Sequence, residues 1–290
     1  MPSPTASARP VALPGALSPL TADLVRGPRR PAVVLAAPRV GVYLGVGDRV
    51  LPVLAADALA LPGAVRLGVT SAHLDLRAGC GDVVVVGAGC VRLPGPTVRG
   101  VRTWRPARVR RGTPPSEAAA RAVLDLLAGA LGDAPGWLAA GIARALRGAP
   151  EAVATLLGRG PGLTPSGDDA VAGALLVRRA LGHDPRPGRA DGPRRDPRDR
   201  PDAADPLAAA VRSRLTTTTA VSAALLDAAA GGWATHEAVD LAEAAARGDV
   251  AGVTSALPAV LAVGHTSGRD LVAGVAAALD TLVLHGRTAA

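Results

Sequence analysis

The stretch Thr113-Pro114-Pro115-Ser116-Glu117-Ala118-Ala119-Ala120-Arg121-Ala122-Val123-Leu124 divides the chain into two kinds of sequence. Paired prolines stop a strand, because proline has no N–H to give a ladder. Ser116, followed by Glu117 and a run of Ala and Leu, is a helix start. Upstream, short β-branched or alternating runs recur at 32–37, 40–44, 49–54, 65–69, 82–86, 90–93 and 98–104, separated by Gly and Pro. That spacing is the signature of an all-β module, and Gly87-Ala88-Gly89 reads as a hairpin turn within it. Downstream, helices are expected at 116–131, 136–147, 150–157, 168–182, 207–230, 235–247, 249–262 and 268–285. The fold class is therefore α+β, an N-terminal all-β module followed by an all-helical C-terminal domain. The expected divisions are a disordered N-terminus at 1–31, a β module at 32–112 and a helical domain at 113–290. Residues 183–206, a Pro/Asp/Arg tract with no apolar face, are expected to be a flexible linker.

Composition bounds the function classes. The chain has 290 residues, with no Phe and no Lys, so all 32 basic residues are Arg. With Ala, Gly and Pro also abundant, this is the imprint of a GC-rich genome rather than a binding adaptation. The net charge of +8 is concentrated in the β half, where residues 32–115 carry +7. These arginines are spread among the strands with almost no aromatic residues to stack bases, so nucleic-acid binding is not expected. Cys80 and Cys90 form no CxxC or Cys/His cluster and are expected to be buried thiols on neighbouring strands. The N-terminus has no apolar signal-peptide core, and no uncharged apolar run reaches the ~18 residues of a membrane span. A cytoplasmic protein with no membrane partner is the expectation.

The chemistry lies in a repeat. Gly162-Leu-Thr-Pro-Ser-Gly-Asp-Asp-Ala-Val-Ala-Gly173 recurs as Gly264-His-Thr-Ser-Gly-Arg-Asp-Leu-Val-Ala-Gly274. With Pro165 set aside, eight of eleven positions are identical. Ser-x-x-Asp alone is an N-terminal capping pattern. Capping does not ask for Gly167 and Gly268, since Gly costs a helix interior about 0.8–1 kcal/mol against Ala. A bare N–H at the positive end of a helix dipole suits an anion, and the glycines at 158, 160 and 162 could add a concave nest. This reading gives a small anionic ligand held by Gly162, Thr164, Ser166, Gly167, Thr266, Ser267, Gly268 and Arg269, with Arg159 as a further partner. Asp168, Asp169 and Asp270 oppose an anion unless they cap, accept substrate N–H groups or hold Mg²⁺, the one metal ion they invite. His265 is open to two readings, general base or structural hydrogen bond. The run Thr216–Thr219 is either a helix cap or, through Thr217, Thr218 and Ser222, a hydroxyl-rich pocket wall. The small-residue rows Ala172-Gly173 and Ala273-Gly274 predict close helix packing, with the two motif helices as candidates to pack on each other.

Gly-Leu-Thr-Pro-Ser-Gly-Asp-Asp with a later Gly-His-Thr-Ser-Gly-x-Asp resembles the family that includes AllH, a subunit of oxamate carbamoyltransferase. The resemblance spans roughly residues 38–285 and takes in Arg102-Thr-Trp-Arg-Pro-Ala-Arg108 before the helical domain. It implies transfer of a carbamoyl group between carbamoyl phosphate and oxamate in purine (allantoin) catabolism, together with partner subunits. If the chain is such a subunit, Asp168, Asp169 or Asp270 would orient the attacking amide, and with His265, for which general base is one of the two readings, they are the catalytic candidates. The Ser-x-Arg-Thr phosphate motif of aspartate- and ornithine-type carbamoyltransferases does not occur, so the Ser-Gly helix starts would have to hold the phosphate. Two alternatives stand beside this one: a non-catalytic anion-binding or assembly subunit, and a Mg²⁺-dependent hydrolase using the motif aspartates.

Overall fold

A computed structural model of the chain describes residues 12–132, 135–182 and 205–285. They fall into two compact units, meeting in sequence at Arg105/Pro106. The expected linker at 183–206 lies almost wholly outside the described residues.

The first unit is a closed eight-stranded barrel in the order β1-β5-β4-β3-β2-β6-β7-β8. Its strands are β1 Ala12–Leu17, β2 Arg30–Ala36, β3 Gly41–Val46, β4 Arg49–Leu54, β5 Val65–Leu67, β6 Val83–Gly87, β7 Cys90–Arg92 and β8 Thr97–Thr103, with a short helix α1 at Ala22–Arg26. β1–β8 and β4–β5 pair in parallel, and the other neighbours are antiparallel. All seven expected strands are present. Gly87 pairs with Cys90, leaving Ala88 and Gly89 as a two-residue turn with φ of 52 and 80°, the values of a type I′ hairpin. Inward positions such as Val34, Leu44, Leu51, Val53, Val86 and Val91 fill the interior.

Two expectations fail here. Residues 12–31 are not disordered: β1 closes the barrel between β5 and β8, and Leu17, Leu24 and Val25 are buried. The short run Ala12-Leu-Pro-Gly-Ala-Leu17 hides its strand behind Pro14 and Gly15. The backbone leaves room there for no side chain, because a Cβ on Gly15 would sit 2.8 Å from a Val65 methyl. Nor are both cysteines buried on neighbouring strands. Cys90 is buried in β7, whereas Cys80 is exposed in a turn, and both are free thiols.

The second unit is helical: α2 Glu117–Leu131, α3 Gly136–Leu146, α4 Ser166–Ala180, α5 Pro206–Arg212, α6 Ala220–Ala230, α7 His236–Arg247, α8 Val250–Leu261 and α9 Ser267–Leu279. Ser116 caps α2 by accepting the Ala119 N–H at 3.2 Å, as its sequence predicts. The segment expected as a helix at 150–157 is a 3₁₀ turn at Pro150–Thr155. The helix expected over 207–230 is broken at the threonine run, where Thr219 accepts the Ser222 N–H and starts α6 afresh. Crowding of β-branched side chains and local hydroxyl bonding explain the break. The unit begins earlier than the expected residue 113, because β9 (Ala107–Arg108) pairs with β10 (Trp233–Ala234) inside it. α4 and α9 form the most extensive helix–helix contact of the chain. Among the described residues no helix is long and apolar enough to cross a membrane.

Candidate functional site

The two motif helices meet through their glycines. A Cβ on Gly173 of α4 would lie 2.2 Å from the Leu271 carbonyl oxygen of α9, and one on Gly274 of α9 would lie 1.8 Å from that of Ala170 in α4. Ala170 and Leu271 are equivalent positions of the repeat, so the contact is reciprocal. Gly167 and Gly268 do the same about two turns earlier in each helix. Each would place a Cβ 1.9 Å from a carbonyl oxygen of the preceding segment, Leu156 and Val260 respectively. Their N–H groups are already taken within the chain, by Arg159 O and Val263 O at 3.0 Å each. The sequence signal for glycine here thus has a tertiary cause, close backbone approach.

The serines do not cap. Ser166 and Ser267 are the first helical residues, and the N-cap positions fall to Pro165 and Thr266, neither of which makes a side-chain capping bond. Instead the motifs join each other: the Thr164 and Ser267 hydroxyls are hydrogen-bonded at 2.9 Å, bringing the starts of α4 and α9 together. Two positive helix ends therefore converge on the three aspartates, a setting that favours negative charge.

The aspartates divide into two roles. Asp168, 1% exposed, accepts the Gly158 N–H at 2.8 Å, the Ser222 hydroxyl at 2.7 Å and the Thr218 hydroxyl. The Gly158 N–H of the glycine-rich loop thus faces an anion of its own chain. Asp169 and Asp270 are the incomplete ones. Each has a buried Oδ2 that finds no hydrogen-bond donor among the described residues. Burial raises the Asp169 carboxyl to about 7, against the downward pull of the Ser267 and Thr164 hydroxyls; the Asp270 and Asp168 carboxylates push it the same way as burial. Asp270 itself is 4% exposed. A carboxyl poised near neutrality beside an unsatisfied carboxylate oxygen can accept N–H groups and move a proton.

The remaining expected residues lie around this centre. Thr218 and Ser222 reach it through Asp168, while Thr217 bonds to Arg214 O of its own turn. Thr219, not expected in the site, bonds to the Leu163 carbonyl inside the first motif. His265 and Thr266 are exposed beside Ser267, Arg269 follows in the first turn of α9, and Gly162 is exposed in the loop before α4. The Arg159 guanidinium stacks on Trp137 at 3.9 Å from the ring centre. Among the described residues no group of three His, Cys, Asp or Glu side chains is arranged to hold a metal ion. Sequence reading missed Leu156 and Val260, because they act through backbone carbonyls, which carry no residue signature; Gly158, expected in an anion nest, instead gives its N–H to Asp168.

The elements that build this centre, residues 156–279, match the family model described as oxamate carbamoyltransferase subunit AllH. Over this stretch, less than half of the chain, the sequence is similar to that family. No curated protein and no solved structure matches the chain. The AllH-like stretch is shorter than the resemblance over 38–285 and leaves the barrel outside it. It opens with Leu156, whose carbonyl meets Gly167, and closes with Leu279, the last residue of α9. It therefore holds both motifs and the three groups that donate to Asp168.

Proposed function

We propose that this chain is a carbamoyltransferase-related subunit whose substrate-facing centre is the junction of the α4 and α9 starts. The observation that carries the reading is the pair of buried, unsatisfied oxygens, Asp169 Oδ2 and Asp270 Oδ2, at one junction. A buried carboxylate oxygen without a donor is costly, and a ligand N–H would relieve it. The AllH match makes oxamate, a primary amide bearing a carboxylate, the acceptor of choice, with carbamoyl phosphate as donor and further subunits as partners. In this scheme Asp270 and Asp169 accept the amide N–H groups. The amide nitrogen attacks the carbamoyl carbon, the C–N bond forms, the C–O bond to phosphate breaks and phosphate leaves. The amide proton passes to Asp169, whose carboxyl at about 7 suits proton transfer at neutral pH. The Gly167 and Gly268 N–H groups are taken by Arg159 O and Val263 O, so anion contacts fall to the Ser166 and Thr266 hydroxyls, Arg269 and His265.

The test is release of phosphate from carbamoyl phosphate and oxamate, paired with a thermal-shift titration by oxamate, carbamoyl phosphate and phosphate. Asp169→Asn is expected to lower turnover by about 10²–10⁴-fold, the usual worth of a general base. Asp169→Asn and Asp270→Asn are both expected to abolish the oxamate-induced shift. Equal oxamate shifts in wild type and both variants would remove the centre from substrate binding. One observation favours a second reading, a non-catalytic assembly subunit: the glycines and Asp168 are fully engaged within the chain. Ligand binding without phosphate release, unchanged on adding the partner subunits, would select it.

A further inference from the structure

The motif Arg102-Thr-Trp104 takes no part in the helical centre, yet the barrel gives it a setting of its own. In the sheet, Ala16 of β1 stands opposite Arg66 of β5 on one side and Arg102 of β8 on the other. Directly opposed residues share a face, so the two arginines flank one alanine. The second pairing depends on a bulge. Gly15 pairs with Gly100, the register then shifts, and Ala16 pairs with Arg102. Val101 is left over and stands 62% exposed. Without the bulge Val101 would occupy the place of Arg102; re-aiming a side chain is a recurrent use of such irregularities.

The floor between the arginines is small, Ala16 and Gly68, and a cleft of about 530 Å³ opens above it, bounded by Arg66, Arg102, Thr103 and Trp104. A second hollow of about 270 Å³ shares Ala16, Arg66, Gly68 and Arg102. The walls are held in place. Arg66 donates to the Ala56 and Ala58 carbonyls at 2.7 Å each, and the Trp104 indole N–H donates to Ala64 O at 2.9 Å. Asp57, the acid whose charge Arg66 influences, is engaged by the Ser71 N–H and hydroxyl at 2.8 and 2.6 Å. Within the same unit, residues 12–105 carry eleven Arg against five Asp, a positive excess that favours an anion.

We propose that this cleft binds an organic phosphate: the oxyanion lies between Arg66 and Arg102, and a planar body lies along the Trp104 ring. Guanidinium pairs match phosphate oxygens, and the volume is that of a small-molecule site rather than of an isolated ion. The site is separate from the aspartate centre and does not rest on the reading given to that centre. Isothermal titration of the full chain with AMP, inorganic phosphate and adenosine tests it, using wild type, Arg102→Ala and Asp169→Asn. AMP is expected to bind wild type and Asp169→Asn alike and Arg102→Ala at least about tenfold more weakly, the worth of a charge-assisted bond. Phosphate competes with AMP, and adenosine binds at least about tenfold more weakly than AMP. Absence of AMP binding to wild type, equal affinity for Arg102→Ala, or loss of binding in Asp169→Asn each overturns the proposal. The Arg102 side chain is exposed, so Arg102→Ala is expected to unfold at the wild-type temperature.

Discussion

Gly274→Ala separates local propensity from tertiary contact, because the two give opposite signs. Gly274 lies inside α9, where replacing glycine by alanine ordinarily stabilises a helix by about 0.8–1 kcal/mol. In this fold the new methyl would lie 1.8, 2.6 and 2.8 Å from the O, C and Cα of Ala170. Ordinary carbon contacts begin near 3.5 Å, so the α4 backbone would have to retreat by about 1.5 Å. All three neighbours are backbone atoms of a buried helix, and no flexible side chain can yield. Overpacking of this kind costs about 1–3 kcal/mol, at the upper end when backbone must move. After the propensity gain, a net loss of about 2 kcal/mol remains, or about 4–8 °C in the melting of a unit this size. Gly129→Ala is the control: it is an exposed helical glycine of α2 with no atom within 4 Å of its Cβ position, and it should gain the propensity term alone. Thermal unfolding followed by circular dichroism reads both. A Gly274→Ala chain as stable as wild type would refute the reciprocal packing of α4 on α9.

Three further outcomes concern the buried carboxylates. Asp169 holds its proton up to about pH 7 in the folded chain against an ordinary 3.8, so its contribution to stability is complete below about pH 4 and is lost as pH rises through 7. The denaturation midpoints of wild type and Asp169→Asn should therefore separate between about pH 4 and pH 7, with the variant gaining on wild type; parallel profiles would contradict it. Asp168→Asn keeps the shape but replaces an acceptor oxygen with a donor facing the Gly158 N–H or the Thr218 and Ser222 hydroxyls. A loss of about 2–3 kcal/mol in chemical denaturation is expected. Arg178→Ala removes the cation paired with Asp205 at 3.0 Å and leaves that nearly buried carboxylate held by the Leu207 and Ala208 N–H groups at the start of α5. A loss of about 1.5–3 kcal/mol, the worth of a hydrogen bond to a charged group, is expected, with hydrogen exchange accelerated first in α5.

The sequence by itself determined the class of each half, because periodicity and punctuation are local. The alternating runs between 32 and 104 and the Ser116 cap carry their structure within a few residues. It also determined that Thr164, Ser166, Gly167 and Asp169 have counterparts in Thr266, Ser267, Gly268 and Asp270. What it left open was decided by contacts distant along the chain. β1 is a strand only because β5 and β8 supply its partners. Gly167 and Gly268 serve the carbonyls of Leu156 and Val260, not a bare N–H for a ligand. The acids look alike in sequence, yet Asp168 is saturated by donors from two other segments while Asp169 and Asp270 each keep an unsatisfied oxygen. Hydrogen-bond saturation and burial depend on what the rest of the fold brings within about 3 Å, and no run of neighbouring residues encodes that.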